Sequence, residues 1–303
     1  MRNILFVTLV LLSCKANTQP SDELADVVKT LASEIRANYV LEKEAHLMAD
    51  LLDKNLSSSQ YNSYAMDTSL SNRLQKDLRS IIDDKHLRIR YGNNPPASRS
   101  RYSPAFPHGV GDVSMLEGRI ALFSMSHFPS PNNAYRKKVQ QTMDQISSMD
   151  AQAVIIDMRE NRGGSPAGVQ LVCSYFLPPE LLLNSLYFRN RDHKEDFYTL
   201  KVSNPMLDIP VVLLTSELTF SGGEEFCYNL KNLSRATLIG EVTGGGAHPV
   251  NRYALPQGFA AIIPIGMAIS PITETNWEGV GVQPDIQATR EDALNMAIDF
   301  LKE

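Results

Sequence analysis

The sequence predicts an α/β protein with a helical region in front of its main domain, and three observations support this prediction. Apolar residues recur at helical spacing between residues 21 and 83. From residue 112 onward, short apolar runs typical of buried strands alternate with amphipathic segments typical of helices. The length of 303 residues, of which 43% are hydrophobic and 21% charged, is enough for one large domain or two smaller ones.

Residues 1–20 are predicted to be an export segment that does not belong to the fold. Arg2 precedes an apolar run, Ile4–Leu12, that is too short to span a bilayer and is typical of a secretory signal. The letters LLSC, which end at Cys14, resemble a bacterial lipobox in which that cysteine carries a lipid. A plain signal peptide is the alternative, and we favour the lipoprotein. We therefore expect a bacterial envelope or periplasmic protein whose link to the outer membrane would be this lipid anchor.

Residues 21–83 are predicted to form a small helical bundle. Three helices are indicated, a middle one around Glu42–Leu52 and two outer ones with apolar residues at helical spacing, namely Leu24, Val27, Val28, Leu31, Ile35, Leu70, Leu74, Leu78 and Ile81. The helical spacing ends in IIDDKHLRIRY, residues 81–91, where apolar and basic residues alternate as in a strand. Residues 92–111, rich in Pro, Gly and Ser, are then predicted to form a long surface loop.

The main domain is predicted to cover residues 84–303 and to be built on buried parallel strands. The predicted strands are 118–125, 151–158, 209–216 and 236–240, with paired β structure at 258–270. The predicted helices are 132–149, one from about 166, one from 221 to about 233, and 290–302. Export would leave two cysteines, Cys173 and Cys227, for which we predict buried free thiols rather than a disulfide.

Composition and residue spacing exclude several classes of function. The net charge is −5 and no basic block is present, so nucleic acid is not an expected partner. The sequence has no metal-ligand spacing, and we expect neither a metal nor an organic cofactor.

Four glycine-rich loops follow or precede the predicted strands, and in an open α/β sheet such loops gather where ligands bind. Glycine amides before a helix can point at an anion, although a tight turn also needs glycine. The loops are RENRGGSP with Gly163 and Gly164, TFSGGEE with Ser221, EVTGGGAHP with Gly246 and His248, and NWEGVGVQPD with Glu278.

Ser221 has two interpretations, a helix cap or a nucleophile. Ser-x-x-Glu, from Ser221 to Glu224, fits a capping box in which the serine hydroxyl accepts from the Glu224 amide and the glutamate reaches back to the serine amide. The buried strand before it and the two glycines after it also fit the strand–turn–helix by which hydrolases present a nucleophile. In the second interpretation, the Gly222 amide and the helix dipole would stabilise a developing oxyanion.

The motifs VIIDMRENRGG, LTFSGGEEF, IGEVTGGG and WEGVGVQPDI occur in an order and spacing that resemble the tail-specific protease superfamily, also called C-terminal processing peptidases. The chain most resembles the branch of the interphotoreceptor retinoid-binding protein and its bacterial relatives, in which N-terminal helices precede a D-x-H-L segment, here Asp84–Leu87. The similarity covers roughly residues 21–300 and implies a core of the ClpP/crotonase-like spiral type. The family's PDZ module has no counterpart, because the loop 92–111 is too short for one.

The resemblance implies one of two catalytic forms. One uses a Ser-Lys dyad, but the aligned position is Gly246 and the sequence has no lysine between Lys231 and Lys302. The other, as in the tricorn-type proteases, uses serine, histidine and glutamate. It implies Ser221 as nucleophile, His86 as base and Glu278 as the carboxylate that orients the imidazole, directly or through another hydroxyl.

The same resemblance suggests the rest of the site. Gly222 together with Gly163 or Gly164 would hold the oxyanion. His248 is the rival base, and otherwise we assign it to substrate contact together with its neighbours Gly245 and Gly246.

Two classes of function remain open, and the residues at the site favour the first. A serine endopeptidase of the cell envelope would form an acyl-enzyme on Ser221 and cut peptides or unfolded proteins. A non-catalytic module for apolar ligands or peptides is the alternative, because the retinoid-binding relatives use this scaffold in that way. The complete set of serine, histidine and glutamate favours the peptidase, and an esterase with the same residues is a third option.

Overall fold

The structure is a computed structural model that describes residues 20–92 and 106–302. The predicted export segment with Cys14, and most of the predicted loop 92–111, lie outside these residues. The helices are α1 Asp22–Asn38, α2 Glu42–Ser57, α3 Thr68–Arg79, α4 Asn133–Ser148, α5 Pro166–Cys173, α6 Gly222–Asn232 and α7 Ala293–Phe300. The strands are β1 Arg88–Tyr91, β2 Ser114–Leu116, β3 Ile120–Ser124, β4 Ala153–Asp157, β5 Leu182–Phe188, β6 His193–Tyr198, β7 Val211–Thr215, β8 Thr237–Gly240, β9 Val250–Ala254, β10 Phe259–Pro264, β11 Gly266–Ile269 and β12 Ile286–Gln287.

The three N-terminal helices predicted from the sequence are confirmed. Side chains cap two of them, because Ser21 accepts a hydrogen bond from the amide of Leu24 at 3.2 Å and Asp67 accepts one from the amide of Ser69 at 2.6 Å. Their apolar stripes belong to the same hydrophobic core as the main domain. This shared core holds the helices against the sheets that carry the glycine-rich loops.

The predicted parallel core is confirmed as a six-stranded sheet in the order β12-β8-β7-β4-β3-β2. All neighbours are parallel except β2, which pairs with β3 in antiparallel fashion. Alternate residues of the central strands pack on opposite faces. Ile155, Val212 and Leu214 belong to a small core cluster that includes residues of α7. In contrast, Val154, Ile156 and Leu213 belong to the larger core cluster. The carboxyl ends of β4, β7 and β8 therefore deliver three of the glycine-rich loops to one edge.

Two three-stranded sheets, β1-β10-β9 and β11-β5-β6, complete the fold. The predicted β structure at 258–270 exists, but its two strands β10 and β11 belong to different sheets instead of pairing with each other. The hairpin β5–β6 has no counterpart in the sequence prediction. Five of the six residues of β6 are exposed, so the strand lacks the apolar alternation that would have indicated it.

The C-terminal helix is shorter than predicted, and the two cysteines are as predicted. Arg290 lies before α7 instead of within it, since its amide donates to Glu241 and its carbonyl accepts from Arg159. Cys173 and Cys227 are buried free thiols. Within residues 20–92 and 106–302, none of the helices combines the length and the apolar character that crossing a bilayer requires.

Candidate active site

Ser221 has a strained backbone between β7 and α6. Its φ of 56° and ψ of −124° fall outside the regions that ordinary residues occupy, and such a conformation costs about 1–3 kcal/mol. The loop before it is fixed by a 2.9 Å hydrogen bond from the Phe220 amide to the Asn161 carbonyl. A strained serine on a strand–turn–helix, facing a cavity, is the local geometry of a presented nucleophile.

Glu224 connects the serine to the glycine loop. Its carboxylate accepts from the Ser221 amide at 2.9 Å, which is the predicted reach-back of a capping box. It also accepts from the amides of Gly245 and Gly246, at 2.6 and 2.8 Å, and from the hydroxyl of Thr243. Four donors on two oxygens suit an ionised carboxylate that only accepts. The cap interpretation and the nucleophile interpretation are therefore compatible, because Glu224 does the capping.

The loop that contains Gly163 and Gly164 lies directly against Ser221. A Cβ atom on Gly163 would lie 2.7 Å from the Ser221 Cβ, so only glycine allows this approach. The Gly163 amide donates to the Asn161 side chain at 2.9 Å and is therefore occupied. The Gly164 amide takes no part in the two hydrogen bonds that join this loop to Phe128. Of the two predicted oxyanion donors in this loop, Gly164 is the one whose amide is available.

Asn161 is a structural residue of the site that the sequence interpretation missed. Its side chain is fully buried, donates to the carbonyl of Met125 at 3.0 Å and accepts from the Gly163 amide. Its backbone carbonyl receives the Phe220 amide. One residue thus joins the loop after β4 to the serine loop after β7. Its place in the motif RENRGG could have marked it as a site residue, but these contacts cannot be deduced from sequence spacing.

A cavity of about 230 Å³ opens beside Ser221 and brings several of the predicted residues together. Three predicted site residues, Glu278, Gly245 and Gly163, are not among its lining residues. The residues that line it are His86, Gly164, Pro166, Leu186, Ser221, Gly222, Glu225, Gly246, Ala247, His248, Pro249, Val250, Ala268 and Trp277. The structure therefore places the serine, both candidate histidines and two predicted oxyanion glycines around one space.

His86 lies in this cavity without a partner for one of its ring nitrogens. Its ring packs on Phe220 with centroids 4.6 Å apart, and burial lowers its pKa to about 4. Its Nδ1 is buried and has no hydrogen-bond partner among the described residues. A proton on that nitrogen would be a buried unpaired donor, so the neutral ring favours the proton on Nε2. That tautomer does not offer Nε2 to a serine hydroxyl as a proton acceptor.

His248 has the partner that His86 lacks. Its Nδ1 lies 2.8 Å from Asp84 Oδ2, and both side chains are almost fully buried. Burial is the largest single influence and would raise the pKa of Asp84, but the hydrogen bond and charge of His248 and the hydrogen bond from the His86 amide together outweigh it and lower the pKa. Asp84 is held in turn by the Tyr39 hydroxyl at 3.1 Å and the His86 amide at 2.8 Å. An ionised Asp84 fixes the proton on Nδ1 and leaves Nε2 free to accept one.

Glu278 neighbours His248 instead of His86. Its Oε2 accepts from the Ala247 amide at 2.6 Å and lies 3.6 Å from the His248 Nδ1. Burial raises its pKa to about 7, and the charge of Asp84 adds to the shift while His248 opposes it. Among the described residues, no hydrogen bond joins Glu278 to His86, in contrast to the pairing implied by the family resemblance.

The cluster of Asp84, His248 and Glu278 offers three ligand atoms within 4.8 Å of one another, a donor set that could hold a divalent cation. The same atoms are already engaged, however, because Nδ1 of His248 bonds to Asp84 and Glu278 bonds to the Ala247 amide. The contacts that are present are those of an acid–imidazole pair.

Gly246 explains why a lysine does not fit the site. A Cβ at this position would lie 2.6 Å from Cε1 of His86 and would also collide with the Phe220 ring. The two rings thus occupy the space that a side chain at the dyad-lysine position would need. Lys85, next to His86 in sequence, donates instead to the carbonyl of Gly244 at 2.6 Å. No lysine is among the cavity-lining residues of the described chain.

Glu225 is the buried acid of the cavity wall, and it makes stability depend on pH. Burial raises its pKa from 4.5 to about 8. Between pH 4.5 and about 8 the folded protein binds more protons than the unfolded protein, because the folded-state pKa of Glu225 exceeds the unfolded value. Its stability therefore falls as pH rises through this range. A glutamine side chain cannot ionise. Between pH 5 and 8.5 we therefore expect the free energy of unfolding of Glu225→Gln to fall less than that of the wild type, by on the order of 4 kcal/mol.

Urea unfolding of the wild type, Glu225→Gln and the exposed control Glu195→Gln at both pH values checks this expectation. The slope of stability against pH should flatten only in Glu225→Gln. In the slope that remains, the raised pKa of Glu278 and the lowered pKa of His86 act in opposite directions. Identical slopes for all three proteins would contradict the assignment of a high pKa to Glu225.

Comparison with known proteins agrees with the family resemblance of the motifs. The model of Peptidase family S41 matches residues 119–288, and the N-terminal domain of Peptidase_S41 in eukaryotic IRBP matches residues 18–125. The Carboxyl-terminal-processing protease of Picosynechococcus sp. is 26% identical over 151 residues, which are 50% of this chain and 35% of that protein. The chain therefore spans about a third of the length of this relative.

Two solved structures show the same fold. A putative peptidase from Parabacteroides merdae superimposes with a TM-score of 0.72 at 17% identity, over 93% of this chain and 98% of that one. The photosystem II D1 C-terminal processing protease superimposes with a TM-score of 0.57 at 15% identity, over 89% and 94%. The described residues 20–92 and 106–302 contain no PDZ module. Because the S41 match alone covers more than half of the 303 residues, the chain belongs to peptidase family S41, the tail-specific protease superfamily that its motifs resemble.

Proposed function

We propose that the protein is a serine-type peptidase that cleaves peptides or unfolded proteins through an acyl-enzyme on Ser221. The observation that supports this most directly is the backbone of Ser221, a strained non-glycine residue at a helix N-terminus whose side chain lines a cavity. A helix cap alone needs no such strain, since ordinary caps adopt extended backbone. Strain of this kind persists where the surroundings enforce it, and it concentrates at functional sites.

The base that the hydrogen bonds favour is His248, with Asp84 as its orienting carboxylate. In this mechanism Nε2 of His248 takes the proton of Ser221 as its oxygen attacks the scissile carbonyl, and later donates it to the leaving amine. Glu278 would add negative charge beside the imidazolium that forms. His86, the base implied by the family resemblance together with Glu278, is the competing assignment. In that arrangement His86 would need a partner for Nδ1.

The tetrahedral intermediate would be stabilised by the amides of Gly164 and Gly222. Gly222 is the first residue of α6, so its amide has no acceptor within the helix. Gly164 and Gly222 both line the cavity beside Ser221. Each donor with good geometry is worth about 3–4 kcal/mol of barrier, and the positive end of the helix dipole acts in the same direction. Water would then release the acyl group by the same steps in reverse order.

The family supports the proposed substrate class, and the predicted export segment supports the proposed location. Relatives named as C-terminal processing proteases support peptide or unfolded protein substrates. The predicted export segment supports action in the bacterial envelope, with Cys14 as the site of a lipid anchor.

A fluorophosphonate probe tests the proposal directly. We expect stoichiometric labelling of the folded wild type on Ser221, located by peptide mapping, together with hydrolysis of an unfolded protein substrate. Labelling with hydrolysis of simple esters but not of any peptide would identify an esterase. No labelling, under conditions where a control hydrolase reacts, would contradict catalysis and favour the alternative, a non-catalytic module for apolar ligands or peptides.

A further inference from the structure

We infer that Glu225 and Asn184 form the base of a subsite that accepts a lysine or arginine side chain of the substrate. This inference rests on the proposed function, because it specifies the substrate class of the same cavity. Glu225 lies in the first turn of α6, directly after Ser221, and both residues line the same cavity. The residue whose carbonyl Ser221 attacks would therefore extend its side chain toward Glu225.

The base of this subsite contains a buried hydrogen-bond acceptor that none of the described residues satisfies. Glu225 is 5% exposed, and its hydrogen-bond partner among the described residues is Nδ2 of Asn184 at 3.2 Å. Asn184 is itself 1% exposed, and its buried Oδ1 has no hydrogen-bond partner in the described part of the chain. Side chains two apart on a strand share a face, so Asn184 lies on the same face of β5 as Leu186, which lines the cavity. Buried acceptors without donors are costly, and a guest that brings donors would satisfy them.

The walls above this base are mostly apolar. Pro166, Leu186, Ala268 and Trp277 line the cavity around Glu225. A lysine or arginine side chain matches this pattern, because its methylene stem packs on apolar surface while its charged end needs acceptors. An aliphatic side chain would fit the walls but would leave Asn184 Oδ1 unpaired and bring no charge to Glu225.

The charge around the cavity also favours a cation. No lysine or arginine lines it in the described chain, whereas Glu225 faces it and Glu224, Asp84 and Glu278 lie directly behind its wall. Burial raises the pKa of Glu225 to about 8, since no protein cation offsets the loss of water. An ammonium or guanidinium group would supply that missing charge and would stabilise the ionised carboxylate.

Matched peptides that differ only in the residue before the scissile bond test the inference. We expect the wild type to prefer Lys and Arg over norleucine by about tenfold or more in kcat/KM, and Glu225→Gln to lose most of this ratio. The exposed control Glu195→Gln should keep it. A wild-type ratio near one, a preference for Gln, or a ratio that Glu225→Gln leaves unchanged would overturn the inference.

A binding measurement separates this inference from the proposed function. With Ser221→Ala as the background, calorimetry should show a lysine-containing peptide binding about tenfold tighter than its norleucine analogue, and Glu225→Gln should abolish the difference. Absence of fluorophosphonate labelling with this difference intact would overturn the peptidase and keep the subsite. Labelling without any difference in binding or turnover would keep the peptidase and overturn the subsite.

Discussion

Replacing Ser221 with alanine is expected to reduce peptide hydrolysis by about 10⁴-fold or more and to abolish fluorophosphonate labelling. Without the hydroxyl no acyl-enzyme can form, and only the oxyanion amides and substrate binding would remain to accelerate attack by water. The fold should survive, because Glu224 holds the loop through the backbone amide of residue 221 and not through its side chain.

Initial-rate assays on an unfolded protein substrate measure this loss, and circular dichroism confirms folding. The exposed Ser57→Ala serves as the matched control and should retain wild-type turnover. Ser221→Gly adds a second readout. Glycine tolerates a φ of 56°, whereas alanine is strained there. The free energy of unfolding of Ser221→Gly should therefore exceed that of Ser221→Ala by about 1 kcal/mol, while both variants remain inactive. Hydrolysis by Ser221→Ala within tenfold of the wild type would place the nucleophile elsewhere.

The parallel sheet and the three N-terminal helices were predictable because their patterns are local. Runs such as AVIID in β4 and VVLLT in β7 are buried on both faces, which gives the continuous apolar stretches of a parallel sheet. The hairpin β5–β6 was not predictable in the same way, since the sequence of β6 is polar and its exposure follows from tertiary position. The pairing of β10 with β1 and that of β11 with β5 likewise depend on strands more than 60 residues away.

The candidate site was predictable as a set of loops but not as a set of contacts. The motifs place Ser221, the glycines and both histidines near one edge of the sheet, and the cavity has that composition. Which carboxylate meets which imidazole depends on atoms separated by 164 positions in sequence, as in the pair of Asp84 and His248. Asn161 is similar, because its buried amide joins two loops through contacts that have no sequence signature.

The pair of Asp84 and His248 gives the second large prediction. Removing the base by His248→Ala is expected to lower kcat by about 10³–10⁴-fold, and Asp84→Asn by about 10⁴-fold, because an asparagine no longer favours the Nδ1–H tautomer. His86→Gln should cost far less, about tenfold, since His86 Nδ1 has no partner to orient the ring as a base. Single-turnover kinetics on one peptide separate the chemical step from binding for all three variants.

Two further measurements make this comparison decisive. His46, exposed on α2, provides the control His46→Ala, which should match the wild type. Asp84 accepts hydrogen bonds from the Tyr39 hydroxyl and the His86 amide, so urea unfolding of Asp84→Asn is needed to show whether the substitution weakens the fold. If it does, the activity of His248→Ala decides which histidine is the base. If His86→Gln abolished turnover and His248→Ala retained it, or if kcat/KM titrated near the depressed pKa of about 4 for His86, the base would be His86. Ser221 would then act with the histidine of the D-x-H-L segment, and a partner for its Nδ1 would have to arrive with the substrate.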